Sequence, residues 1–191
     1  MSNPNVNCKK IKKYIEEYNK LNKNNLENEL EHFRKGKEIG NLERVIRSAS
    51  DKSRKHQHRI KKNSLQQGQC ILLIDENQQE IWKLRNENFE KLYNKIVELL
   101  KDVEGLGDLY YYDTALRIGV FFGLYPEKIY LHSGAGIGAD NLIGKKITSS
   151  EKFIEKNNLP CHELFDEMEC YQIENFLCLF RDRLKFRVSL I

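Results

Sequence analysis

The sequence predicts an all-α fold, a compact domain built from several helices. Apolar residues recur at the three- and four-residue spacing of helices over most of the chain. The apolar–polar alternation typical of strands is scarce, and only three prolines interrupt the helical pattern. At 191 residues the chain is long enough to bury one core of useful size, so we expect one domain.

The N-terminal part is predicted to form short helices. Residues 1–25, rich in asparagine and lysine, are interpreted as a flexible and loosely attached arm, and residues 26–191 as a single helical domain. Apolar positions at helical spacing continue through Phe33 and Ile46. Residues 70–74 are apolar throughout, which fits either a buried helix or a short strand.

Two central helices follow from clear patterns. Residues 87–103 carry the strongest amphipathic pattern of the chain. After Gly107 the helical pattern resumes through about Phe122, and Gly123 is predicted to end that helix. A further apolar stripe over residues 171–184 predicts a last helix.

The charge of the chain is unevenly distributed. A formal net charge of +4 arises from 32 basic and 28 acidic residues. The basic segment, residues 52–62, contains no acidic residue and suits a surface that displaces counterions from phosphates. A solvated helix face is the alternative, and both interpretations stay open. The candidate phosphate contacts are Arg54, Lys55, Arg59, Lys61 and Lys62.

Cysteine usage and hydropathy favour a cytoplasmic protein. Five cysteines leave one unpaired in any complete disulfide scheme, and no apolar leader follows Met1, so we expect reduced thiols. Apolar runs are too short to cross a membrane. Cys161, Cys170 and Cys178 are too widely spaced for a zinc ribbon or an iron–sulfur loop, so we interpret them as buried apolar residues. We expect neither a metal nor a cofactor.

The two glycine-rich segments have different predicted meanings. Gly105 and Gly107 flank Leu106 between two helices, a helix-hairpin-helix-like element that brings backbone N–H groups close to a phosphate. Leu106 is expected to anchor this turn in the core. The glycines of residues 134–138 do not follow a clear strand, as a dinucleotide-binding fingerprint requires, so that interpretation receives little weight.

The order of these motifs resembles the helix-hairpin-helix DNA glycosylase superfamily. The matching features are the glycine turn, Thr114-Ala115 in the next helix, and residues 128–132, which end in His132. The block over residues 109–142 also resembles a widespread group of bacterial proteins without an assigned activity. The glycosylase resemblance implies DNA as the partner. It also implies hydrolysis of the N-glycosidic bond of a damaged or modified base, in repair or in defence against foreign DNA.

The resemblance departs from the family at the catalytic positions. Asp113 stands where the family has a nucleophilic lysine, and Tyr130 stands where it has a catalytic aspartate. Asp113 is therefore the candidate carboxylate that stabilises an oxocarbenium-like centre. Its ordinary alternative is a helix N-terminal cap. Arg117, one turn later, is predicted to form an intrahelical ion pair with Asp113, with a shared site as the alternative.

The remaining site residues follow from the same hypothesis. Tyr111 and His132 complete the candidate catalytic set with Asp113, although a lone histidine is more often structural. Tyr110 and Tyr112 are the candidates for stacking on a flipped base, with at least one ring of the tyrosine run expected in the core. Lys128 is a candidate contact to phosphate or sugar. Two alternatives remain open: a non-catalytic nucleic-acid-binding module and a protein-interaction scaffold.

Overall fold

A computed structural model describes residues 6–21, 23–39, 42–49 and 64–186, and over these residues the predicted all-α fold is confirmed. A single two-stranded sheet accompanies the helices of this part of the chain. The helices are α1 (Cys8–Leu21), α2 (Lys23–Ile39), α3 (Leu42–Ala49), α4 (Ser64–Glu76), α5 (Gln78–Lys83), α6 (Phe89–Leu100), α7 (Asp108–Phe122), α8 (Ser133–Ile143) and α9 (Cys170–Phe180), and the strands are β1 (Ile129–Tyr130) and β2 (Phe153–Ile154).

The contacts divide the chain into two compact units where the sequence analysis expected one domain. Unit 1 comprises Met1–Glu27 and Glu127–Ile191, and unit 2 comprises Asn28–Pro126. The division falls inside α2 and again before β1.

Unit 1 is built around the packing of α8 against α9. The antiparallel strands β1 and β2 pair Ile129 with Ile154 and Tyr130 with Phe153. The N-terminal segment differs from the expected loose arm, because α1 contributes an apolar face to the core of this unit. That face is buried because its members lie at helical spacing: Ile11, Tyr14, Ile15 and Tyr18.

A disulfide joins Cys8 of α1 to Cys161 within unit 1. The expectation of reduced thiols is therefore wrong for this pair, which lies 153 residues apart in sequence and cannot be recognised from spacing. The expectation of buried apolar cysteines holds for Cys170, whose side chain is buried and whose Sγ donates to the carbonyl oxygen of Glu127 at 3.2 Å. Burial raises the pKa of the Cys170 thiol to about 11.

Unit 2 is organised around α7, which packs against α6 and α3. The Asn88 side chain caps α6 by accepting the N–H of Lys91 at 3.0 Å. The predicted end of α7 is confirmed, because Gly123 adopts the left-handed conformation (φ 82°) at its C-terminus. Phe89 of α6 lies edge-on to Tyr112 of α7, with ring centres 5.9 Å apart.

No helix among the described residues is both long enough and apolar enough to span a membrane.

Candidate nucleic-acid interface

The predicted glycine turn lies between α6 and α7. Gly105 takes a positive φ of 83°, which favours glycine, and Gly107 is extended and precedes the first residue of α7. The carbonyl of Gly107 accepts the N–H groups of Tyr110 and Tyr111 at 2.8 and 3.3 Å. Leu106 is half-buried, as an anchor of the turn would be. The geometry thus supplies a tight connection with an exposed helix N-terminus.

The charges around this turn disfavour the binding of a phosphate. Asp102, Glu104 and Asp108 are all exposed there, with Lys101 as the neighbouring cation. Burial together with the negative charge of Asp108 raises the pKa of the Tyr93 hydroxyl to about 12. An anion at the N-terminus of α7 would meet the same field, and Asp108 already offers the negative charge that a helix N-terminus favours. The turn is therefore a poor phosphate site despite its backbone geometry.

The tyrosine run is buried, contrary to the expectation that it stacks on a base. Tyr110, Tyr111 and Tyr112 are 5%, 6% and 0% exposed. Most of the surface of α7 is covered within unit 2, so all three rings enter the interior although they point in different directions. A base could stack on Tyr110 or Tyr112 only after the helix left its packing site.

Asp113 and His132 belong to different units, and their environments differ. Asp113 is half-buried in the second turn of α7, so it does not cap this helix; Gly107 stands at the cap position. His132 precedes the first residue of α8 and is 7% exposed, with Nδ1 3.7 Å from Oε1 of Glu174. Burial lowers the pKa of His132 to about 4 despite this carboxylate, so the imidazole is neutral at pH 7 and offers no charge to a phosphate.

Lys128 lies over an aromatic ring within unit 1. Its Nζ is 4.2 Å from the ring centre of Phe153 on β2. A cation held over an aromatic face is attracted by the ring quadrupole. This contact gives Lys128 a structural role that the sequence did not predict.

Arg117 forms a buried ion pair, but with a partner other than the predicted Asp113. Its Nη2 lies 2.6 Å from Oε1 of Glu29 on α2, and its side chain is 3% exposed. Nη1 donates to the carbonyl oxygen of Ala49, the last residue of α3, at 2.9 Å. The prediction of an intrahelical pair is wrong because the guanidinium points into the interior of unit 2, where it fixes the end of α3.

The second glycine-rich segment serves packing. Gly134, Gly136 and Gly138 lie on α8, and a Cβ at Gly138 would collide with the carbonyl oxygen of Leu177 on α9. A Cβ at Gly134 would come within 2.5 Å of Sγ of Cys178. Gly134 and Gly138 therefore allow the backbones of α8 and α9 to approach closely, whereas Gly136 faces Thr148 and the carbonyl of Leu131.

Unit 1 contains a buried polar cluster that was not predicted from the sequence. Oε1 of Glu27 accepts hydrogen bonds from the Tyr171 hydroxyl at 2.9 Å and from Nε2 of Gln172 at 2.7 Å. Glu174 is 8% exposed, and Tyr18 is fully buried. Burial and the carboxylates of Glu174 and Glu27 raise the pKa of the Tyr18 hydroxyl. Only tertiary packing brings these residues together, and no motif could have revealed them.

The basic segment lies between α3 and α4, outside the residues that the structure describes. Arg54, Lys55, Arg59, Lys61 and Lys62 consequently remain predictions. In the described ranges, no group of three or more His, Cys, Asp or Glu side chains is arranged to hold a metal ion.

In comparisons with known proteins, no family model, no curated protein and no solved structure matches this chain.

Proposed function

We propose that this protein binds DNA and that the basic segment supplies its phosphate contacts. The observation that carries this proposal is the run of six lysines and arginines over residues 52–62 without a single carboxylate. Each cation that neutralises a phosphate releases condensed counterions, which favours binding without regard to base sequence. The acidic glycine turn is left out of the proposed interface.

The contacts of Arg117 fix the end of α3, the helix that precedes the basic segment in sequence. Its guanidinium holds the Ala49 carbonyl at the end of α3, and Glu29 compensates its charge. The basic segment follows α3 in sequence, separated from it by Ser50 and Asp51. A fixed starting point lowers the conformational entropy that a chain segment loses when it binds.

The dependence of affinity on salt tests the proposal. Binding of labelled duplex DNA is measured by fluorescence anisotropy at several salt concentrations, for the wild type and for Lys61→Gln/Lys62→Gln. Each lost phosphate contact lowers the slope of log K against log salt by about one, so the double variant is expected to lose about two. The matched control is Lys13→Gln/Lys20→Gln, which removes the same charge from exposed positions of α1.

An unchanged slope in the Lys61/Lys62 variant, or an equal reduction in the α1 control, contradicts the proposal. The first result means that the segment makes no phosphate contact there. The second means that only the overall charge matters.

Hydrolysis of an N-glycosidic bond is the second candidate function, and it depends on Asp113 alone. Asp113 is half-buried, with Oδ2 of its carboxylate shielded from solvent, whereas Tyr111 and His132 are buried. Duplexes carrying uracil, oxidised, alkylated or hypermodified bases are the substrates to assay, followed by alkaline cleavage. Strand breaks that disappear in Asp113→Asn, with DNA binding retained, support it; breaks that persist remove Asp113 from the mechanism.

We further propose a cytoplasmic location for the protein, with repair of bases or defence against foreign DNA as its role. The Cys8–Cys161 disulfide opposes this location, because disulfides persist mainly in oxidising compartments. Alkylation of thiols in freshly lysed cells distinguishes the two states of this pair.

A further inference from the structure

Unit 2 has an exposed aromatic residue, in contrast to the buried tyrosines of α7. Trp82, the one tryptophan of the chain, lies on α5 and is 44% exposed. Its ring centre is 5.8 Å from that of Phe122 at the end of α7, at an angle of 69°. The indole packs against Phe122, and much of the surface of the indole remains exposed to water. An exposed indole costs free energy in water, and covering it with a partner recovers that cost.

A cation is held over the indole ring. The guanidinium carbon of Arg85 lies 4.9 Å from the ring centre, and Nη1 of Arg85 donates to the carbonyl oxygen of Trp82 at 3.0 Å. This hydrogen bond keeps the guanidinium close to the ring. Together, the tryptophan and the arginine offer a flat aromatic surface and a positive charge to the same ligand.

The charges around Trp82 favour an anion. The two nearest carboxylates in sequence are already paired with lysines of α6: Glu80 with Lys95 at 2.5 Å, and Glu87 with Lys91 at 2.6 Å. Lys83 and Arg85 are exposed, and neither forms an ion pair with any other described residue. Arg85 therefore holds over the indole a charge that is unpaired within the described residues, and Lys83, adjacent to Trp82 in sequence, interacts electrostatically with Glu80.

We propose that Trp82 and Arg85 form a stacking site for an unpaired base of single-stranded nucleic acid, with Lys83 contacting the adjacent phosphate. This inference rests on the proposed DNA binding and names the form of nucleic acid that this surface takes. An indole stacks on any base, but only a base that has left its own stack offers a free π-face. Single strands are therefore bound more tightly than duplexes of the same sequence.

Tryptophan fluorescence tests this site directly, since the chain has no other tryptophan to obscure the signal. A fluorescein-labelled single-stranded oligonucleotide of about 16 nucleotides is titrated and followed by anisotropy, and the unlabelled strand is followed by indole emission. Saturation is expected to quench the emission of Trp82. Trp82→Ala is expected to weaken binding about tenfold, the loss of one stacked base, and Trp82→Phe to restore part of that affinity. Leu72→Ala, at another exposed apolar position of unit 2, is the matched control and leaves affinity unchanged.

The outcomes separate this inference from the proposed function. If anisotropy rises but the emission of Trp82 and the affinity of Trp82→Ala are unchanged, DNA binding stands and the stacking site is wrong. Equal affinity for the duplex and the single strand also overturns it. If no oligonucleotide binds, both proposals fail.

Discussion

Units 1 and 2 each contain a glycine-rich segment, and the two segments meet different physical demands. In unit 2, Gly105 is needed for its positive φ, and a Cβ at Gly107 would meet nothing within 4 Å. In unit 1, Gly138 is needed because no Cβ fits against α9. The same residue type thus marks an exposed chain reversal in one unit and close helix packing in the other. A glycine motif becomes evidence for a binding site only when its surroundings are known.

The two units also treat buried polar groups differently. Unit 2 buries the guanidinium of Arg117 and satisfies it with Glu29 and a backbone carbonyl. Unit 1 buries His132 in its neutral form, because burial lowers its pKa to about 4. Loss of either partner of the compensated charge is expected to lower the stability of unit 2. Protonation of the neutral imidazole in acid is expected to lower the stability of unit 1.

Removal of Arg117 has the largest expected effect on unit 2. In Arg117→Met the Glu29 carboxylate and the Ala49 carbonyl lose their partner, which is expected to cost about 3–5 kcal/mol of unfolding free energy in urea titrations. The control is Arg47→Met, because the Arg47 side chain is exposed. Its pairs with the exposed Glu43 and the half-buried Asp75 are expected to be worth about 1 kcal/mol or less each. Equal losses in the two variants would show that Arg117 does not anchor this unit.

The same substitution at two glycines sharpens the comparison of the glycine segments. Gly138→Ser places a Cβ against Leu177 and is expected to destabilise by about 2–3 kcal/mol, the cost of overpacking. Gly107→Ser has open space and provides a preferred N-cap residue for α7, so its stability is expected to remain unchanged or to rise by about 0.5 kcal/mol. Thermal and urea unfolding of both variants measure the difference. A Gly138→Ser variant as stable as Gly107→Ser would refute the close packing.

Acid has a smaller expected effect, which falls on unit 1. The folded pKa of His132 is about 4, below the ordinary histidine pKa of 6.5 that applies to the unfolded chain. Between these values the unfolded chain binds more protons, so stability falls as the pH drops from about 6.5 to 4. The expected loss from pH 7 to pH 5 is about 2 kcal/mol. In His132→Gln this contribution is absent and the pH profile is flatter over that window. The exposed His162→Gln serves as control and keeps the wild-type profile.

Helices with strong local patterns were predictable, and long-range contacts were not. The pattern over residues 87–103 corresponds to α6, and the predicted stop at Gly123 is confirmed, because both depend on residues close in sequence. The strands β1 and β2 have two residues each, too few for an alternation to show.

The candidate site was less predictable for a related reason. The pairing of Arg117 with Glu29 spans 88 residues, and no spacing rule covers such a distance. Periodicity identified the helix that carries Tyr110, Tyr111 and Tyr112, but the burial of all three rings depends on the elements packed around that helix. The exposure of Trp82 depends on tertiary packing in the same way.

Photo-crosslinking tests the assignment of nucleic-acid binding to unit 2 most directly. The intact protein is irradiated with a bound single-stranded oligonucleotide, and the crosslinked peptides are mapped by mass spectrometry. Crosslinks are expected in the peptides that contain residues 52–62 and Trp82. Crosslinks confined to residues 127–186 of unit 1, or none above the level obtained with protein unfolded in urea, would contradict the assignment.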